Sequence, residues 1–260
     1  MSTRRESLHG LVFETSLAGV GEIEASGFGA SFADAAIDVA APRALGASEI
    51  GSPLVTEWAE PGRAIVLRVR GVGRFDVTRE RVIVCADPSA REDLVRLFVR
   101  YHALGLLLRL RGFVVLHGAA VSLSGEAHVW VGASGAGKTT AALEACASAT
   151  GSARFLADEV VALEPRGDAF VVRRGVPWPR VDAGAPAHLH ALARRIEPES
   201  AHAVPLGCIA LASHGAAPGG LGAAALAAQI LGGYRPELPP LPEEIASRSR
   251  LLDVASRLRR

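Results

Sequence analysis

Lysine is nearly missing from this chain: of its 28 basic side chains only Lys138 is a lysine, and the rest are arginines. A charge excess of either sign is missing too, since 28 basic groups face 27 acidic ones and the net charge is +1. That balance gives no argument for a nucleic acid or an anionic membrane as partner. The three cysteines, Cys85, Cys146 and Cys208, lie far apart and none belongs to a Cys-x-x-Cys pair. This excludes a disulfide framework and a zinc site built on paired cysteines, and it fits a reducing compartment. Long hydrophobic runs are also lacking. Arg109 and Arg111 interrupt LGLLLRLRGFVVLHG, while GGLGAAALAAQILGG is short and made largely of alanine and glycine, so no membrane span is expected. The N-terminus MSTRRESLHGLVFETS has no apolar stretch of signal-peptide length, which makes the expected location cytoplasmic. No period of 20 to 50 residues repeats.

What is present is 260 residues, 49% of them hydrophobic, enough for one large domain or one and a half. Residues 1–88 carry short apolar runs broken by turns, such as LVFE, AIDVAAP, AIVLRVRG and RVIVCADP. Their partial alternation predicts half-exposed strands in a small β-rich lobe. From Ser89 the pattern changes. Ser89 with Glu92 fits a capping box, and Leu94, Leu97, Phe98, Tyr101, Leu104 and Leu108 recur at helical spacing up to Gly112. FVVLHGAAVSL and AHVWVG, joined by SGEA, read as an antiparallel hairpin, and TTAALEACASATG reads as a helix stopped at Gly151. RFLADEVVALEP reads as a strand pair or one bent strand. GDAFVVRRGVPWPRV follows as a strand entering a proline-rich loop, and PLGCIALAS as a last buried strand. A helical tail runs from about Gly219. The predicted class is α/β, with a lobe at 1–88 and a core at 89–260.

The lone lysine sits in VGASGAGKTT, where Gly132, Gly137, Lys138 and Thr139 satisfy G-x-x-x-x-G-K-[ST]. With 28 glycines and 25 serines and threonines, the chance that the lysine falls in that frame is roughly 0.001. An apolar run precedes the loop and a helical one follows, as a phosphate cradle requires. The expected nucleotide-binding set is Gly132, Ala133, Ser134, Gly135, Ala136, Gly137, Lys138, Thr139 and Thr140. Lys138 is expected to reach the β- and γ-phosphates of a nucleoside triphosphate, and the Thr139 hydroxyl to ligate Mg²⁺. Asp158 and Glu159 are the acids that can complete such a site. Adjacent residues of a regular strand face opposite ways, so both can serve only if the strand bends there; otherwise one is a surface acid. His117, at the end of the run FVVLH, reads as structural or catalytic, and Gly118 after it permits close approach of another backbone. His188 and His190, two apart on a helix, read as surface residues.

LHGAAV, GASGAGKTT and LADEVVAL, in that order and spacing, resemble the catalytic domain of HPr kinase/phosphorylase, and more closely its small homologues found with peptide-modification genes, including lasso-peptide tailoring kinases. The resemblance implies a P-loop core with a mixed sheet on a fold related to PEP carboxykinase. It implies ATP and Mg²⁺ as cofactors and a serine of a peptide or small protein as acceptor. It places His117 beside the acids, makes Asp158 the base toward the acceptor hydroxyl and Glu159 the metal partner, with Asp158 and Thr139 also at the metal. The family has an aspartate pair where this chain has Asp158 and Glu159. Nothing here matches the loop by which the bacterial enzymes contact HPr, so the expected acceptor is not HPr. Small homologues tend to continue after the last helix into another strand, whereas this chain stops at LRR. The acceptor is expected near GVPWPRV, where Arg173, Arg174 and Arg180 read either as anion-binding groups or as a solvated rim. A homo-oligomer is compatible with the sequence. The competing readings are a nucleotide-binding regulatory or assembly protein with little transfer activity and an enzyme of PEP-carboxykinase type, for which the chain is short.

Overall fold

The computed structural model describes residues 4–8, 11–15, 17, 22–23, 35–41, 54–149, 151–176, 178–212, 222–234 and 238–258. The chain forms two compact units, one of residues 1–112 with 237–239 and the other of 113–236 with 240–260. Together they make an α/β protein with mixed sheets.

The first unit is built on an eight-stranded sheet: β1 (Arg4–Leu8), β2 (Leu11–Thr15), β3 (Glu22–Ile23), β4 (Ala35–Val39), β5 (Leu54–Glu60), β6 (Ala64–Val69), β7 (Gly73–Thr78) and β8 (Arg81–Ala86). The spatial order is β3-β1-β2-β4-β8-β7-β6-β5. β5 to β8 form an antiparallel meander, and β4 runs parallel to both β8 and β2. Phe75 and Val77 on β7, and Val82 and Val84 on β8, are fully buried. Against β7 and β8 lies one continuous helix made of α1 (Glu92–Phe98), a π-helical turn at Val99–Ala103 and α2 (Leu104–Leu110).

Two sequence expectations change here. Ser89 does not cap the helix: its N–H and hydroxyl both donate to Asp87 Oδ1, at 2.9 and 2.6 Å, in a turn that ends before the helix starts. The wider turn at Val99–Ala103 also shifts the helical phase. Leu94, in the first turn of the helix, is 37% exposed, while Leu104, Leu106, Leu107 and Leu108, beyond the π turn, are all fully buried. Because this helix packs on the first sheet, the units divide at Gly112 and not at residue 88.

The second unit carries β9 (Val114–Leu123), β10 (Glu126–Val131), α3 (Lys138–Ser148), β11 (Ala153–Arg166), β12 (Ala169–Arg173), α4 (Ala187–Ala193), β13 (Ala203–Leu211), α5 (Gly222–Gly232) and α6 (Pro242–Leu258). β9 and β10 form the expected hairpin. The strand pairings run β10-β13-β12-β11-β9 and return to β10, with only β10–β13 parallel. Period-2 alternation sorts the side chains into two cores. Val114, Leu116 and Ala120 of β9 join Val129, Val161, Leu163 and residues of α5 and α6. Ala119 and Val121 join Phe155, Leu143 of α3 and Leu189 of α4. Opposite residues on paired strands share a face, so the pairs Asp158–Ala119 and Val160–His117 put Asp158 and His117 on the α3 side.

At Gly118 β9 approaches its neighbours closely. A Cβ there would sit 2.7 Å from the Trp130 carbonyl oxygen and 3.1 Å from Val161 Cγ2. Gly184, by contrast, has nothing within 4 Å of such a Cβ. Gly118→Val is expected to destabilise the second unit by about 3 kcal/mol or more, and Gly184→Ala to change stability by less than about 0.5 kcal/mol, both read by urea unfolding.

Candidate functional site

β10 ends at Val131 and the chain enters α3 through Gly132 to Gly137. Gly137, the residue before the helix, is left-handed with φ 87°, a conformation that glycine adopts without steric penalty. The loop borders a cleft of about 310 Å³. Ser134, Gly135, Gly137, Lys138, Thr139 and Thr140 line it together with His117, Glu159 and Arg180. Gly132, Ala133 and Ala136 do not face the cleft. Ala133 instead accepts a 2.7 Å hydrogen bond from Lys138 Nζ through its carbonyl, which lays the lysine side chain back along the loop. Lys138 is only 7% exposed. Burial lowers its pKa, against the opposing pull of Glu159 and Asp158.

Asp158 is the most constrained group of the site, with 1% exposure. The Thr139 hydroxyl donates to its Oδ1 and Oδ2 at 3.0 and 3.3 Å. The backbone N–H of Glu159 donates to Oδ1 at 3.0 Å, and that of Arg180 to Oδ2 at 2.7 Å. Burial nevertheless dominates, pushing the Asp158 carboxyl up to about 7, with the charge of Glu159 adding to the rise and the Arg180 and Thr139 donors opposing it.

Glu159 supplies the bend that the two adjacent acids require. It pairs with Gly118, so a regular strand would aim it at the core beneath α5 and α6. Its φ of 65° turns the chain instead, and its side chain lines the cleft. A left-handed non-glycine residue costs about 1–2 kcal/mol, less than burying a second carboxylate without partners. His117 Nδ1 lies 3.1 Å from the Glu159 carbonyl oxygen and 3.5 Å from Glu159 Oε2. A carbonyl only accepts, so Nδ1 carries a proton.

The structure thus brings together Lys138, Thr139, Asp158, Glu159 and His117. Of the three arginines near the proline-rich loop, only Arg180 reaches the cleft. Arg173 pairs with Glu164 at 2.7 Å, and Arg174 donates to the Glu199 carbonyl at 3.3 Å. His188 is exposed and His190 half-buried, and neither lines the cleft. Sequence reasoning missed the Arg180 N–H because a main-chain donor leaves no mark in residue type. It also missed the apolar side of the cleft, Leu143, Val181, Ala185 and Leu189, which belong to no recognisable motif.

Among the described residues no group of three or more His, Cys, Asp or Glu is assembled that could hold a metal. The oxygens at hand, the Thr139 hydroxyl and the Asp158 and Glu159 carboxylates, are of the kind Mg²⁺ takes, one or two carboxylates with phosphate and water supplying the rest. No described helix is long and apolar enough to cross a membrane. Neither the models of protein families nor the curated proteins contain a match to this chain.

The raised Asp158 pKa has a consequence for stability. The folded state holds a proton that the unfolded carboxyl releases near its ordinary value of 3.8, so stability from this group is full below about pH 4 and is lost as pH rises through about 7. Asp158→Asn is therefore expected to melt higher than the wild type at pH 8, by the equivalent of about 1–3 kcal/mol, and no higher at pH 4. Thermal melts at the two pH values check this.

Proposed function

We propose that this chain is a kinase of the HPr-kinase-like type. It uses ATP and Mg²⁺ to transfer the γ-phosphoryl group to a hydroxyl, a serine of a peptide or of a small protein other than HPr, on a P-loop core related to PEP carboxykinase. The observation that carries the reading is a buried loop lysine in the wall of the cleft together with a carboxylate, Asp158, held behind that wall by its bond to the cleft-lining Thr139. A phosphate-binding loop alone suits any user of nucleoside triphosphates. A carboxylate held within that loop's reach and made more basic by burial is what transfer to a hydroxyl needs in addition.

In this reading Asp158 takes the proton of the acceptor hydroxyl as its oxygen bonds to the γ-phosphorus. The bond from that phosphorus to the β,γ-bridging oxygen breaks, and ADP leaves with the electron pair. Lys138 balances charge on the β- and γ-oxygens, a task suited to a compact ammonium. Thr139, Asp158 and Glu159 would hold Mg²⁺, which when bound neutralises charge developing on the phosphates. His117 fixes the bend at Glu159 through the carbonyl and carboxylate it faces. Arg180 contributes its N–H to Asp158 and lines the cleft, which supports an acceptor approaching from the side of residues 178–182.

An arginine is wider than lysine and carries its donors in a fixed fork. Lys138→Arg is expected to fold normally yet lose phosphotransfer by at least about a hundredfold, roughly 2.7 kcal/mol in the barrier. Asp158→Asn is expected to keep nucleotide affinity and lose transfer to a similar degree. The assay is phosphoserine formation by mass spectrometry after incubation of the chain with ATP, Mg²⁺ and a library of serine-containing peptides. Nucleotide binding without phosphopeptide or ADP would reassign the chain to regulation or assembly. Near wild-type transfer by Lys138→Arg would remove the lysine from its role.

A further inference from the structure

Of the large apolar side chains left exposed among the described residues, three leucines and an isoleucine lie on helices, and the fifth is Trp178, 54% exposed and on a loop. A tryptophan left half in water adds little to the fold, yet it supplies a large contact area when a partner covers it. The loop that carries it is tied to the strand of the acids by three main-chain donors. The Gly175 N–H donates to the Leu156 carbonyl at 2.9 Å, the Asp158 N–H to the Val176 carbonyl at 3.2 Å, and the Arg180 N–H to Asp158 Oδ2 at 2.7 Å. Val176 is buried beside these bonds, and Pro179 restricts both its own backbone and that of Trp178. Trp178 is thereby held two residues from the N–H that binds Asp158. It is not part of the cleft wall, but its near neighbour Arg180 is.

Reach and charge say what such a platform takes. Two residues of chain span at most about 7 Å, so a peptide whose serine enters the cleft beside Arg180 brings the residue two or three places away to Trp178. The charged residue nearest to Trp178 along the chain is Arg180, which is exposed and pairs with no acid among the described residues, while Asp182 lies two positions farther on. A lysine or arginine laid on the ring is repelled by that guanidinium; an apolar or aromatic side chain is not, and a carboxylate is drawn to Arg180 itself. We infer that Trp178 is the docking platform for an apolar or aromatic residue of the acceptor peptide, two or three places from the reacting serine, and that Arg180 holds an acidic residue between them. The inference rests on the phosphotransfer proposed above. It adds what tells one serine from another, since the loop around Lys138 and the Asp158 carboxyl act only on groups that every serine peptide with ATP presents.

The test is the rate of phosphorylation of a position-scanning library of serine peptides by the full chain with ATP and Mg²⁺. The wild type is expected to favour phenylalanine, tryptophan or leucine over lysine about tenfold in kcat/KM at two or three places from the serine, and to favour aspartate or glutamate between them. Trp178→Ala is expected to raise KM for the favoured peptide at least about tenfold, keep kcat within about twofold and erase the apolar preference, with the ATP-induced rise in melting temperature unchanged. Trp178→Phe keeps most of the preference. Arg180→Gln erases the acidic preference and leaves the apolar one. Should Trp178→Ala melt much earlier than the wild type, Trp178→Arg supplies the comparison, and is expected to move the preference at that position to glutamate. Transfer by the wild type that ignores the residues near the serine overturns the platform and leaves the phosphotransfer reading standing. So does an unchanged apolar preference in a folded Trp178 variant. Phosphorylation of no peptide by the wild type overturns that reading, and the platform with it.

Discussion

A carboxylate taken out of water must be given hydrogen-bond donors or a proton, and the second unit is arranged around that requirement at Asp158. Its three kinds of donor come from three separate pieces of chain: the Thr139 hydroxyl from α3, the Glu159 N–H from β11, and the Arg180 N–H from the loop after β12. Fixing them together sets the loop, the bent strand and the proline-rich segment in one arrangement. They do not fully offset burial, so the carboxyl stays at about 7, more basic than an exposed aspartate. Residual destabilisation of this kind is common where a group is retained for chemistry.

The sheet explains why this is where the acids converge. The β9–β11 register places Asp158 and His117 on the face that carries α3 and α4. The same register would bury Glu159 on the opposite face, and only the left-handed turn at that residue brings it back to the cleft. His117 then meets the carbonyl exposed by the turn. Gly118 is required because the same part of β9 lies against the Trp130 carbonyl and the Val161 side chain. A pair of adjacent acids, a histidine and a glycine thus answer one geometric constraint.

Much of this was legible in the residues. The phosphate-loop pattern around Lys138, the hairpin before it and the helix after it follow from local signals that involve few distant contacts. The need for a bend at Asp158 and Glu159 followed from strand parity alone, and the structure has it. What could not be read were features made by tertiary contact. The N–H of Arg180 reaches Asp158 across 22 residues and carries no side-chain signature. Ser89 had the right spacing for a cap, but Asp87 competed for both its donors. The helical period from Leu94 to Leu108 is interrupted by a π turn whose position no propensity marks, and the boundary between the units lies after the helix because the helix packs on the first sheet. Leu143 and Leu189 belong to no motif; they are buried in the core, and their second face, toward the cleft, appears only once α3 and α4 are packed.

A base at Asp158 requires a buried carboxyl that titrates near neutrality. Carboxyl ¹³C chemical shifts of the protein labelled at aspartate, followed from pH 4 to pH 9 and assigned by loss of one signal in Asp158→Asn, measure this directly. One aspartate is expected to titrate at about 7, well above the ordinary 3.8. If the signal lost in Asp158→Asn instead titrates near 4 or below, the donors outweigh burial, and the carboxylate is a structural clasp for the loop and not a base.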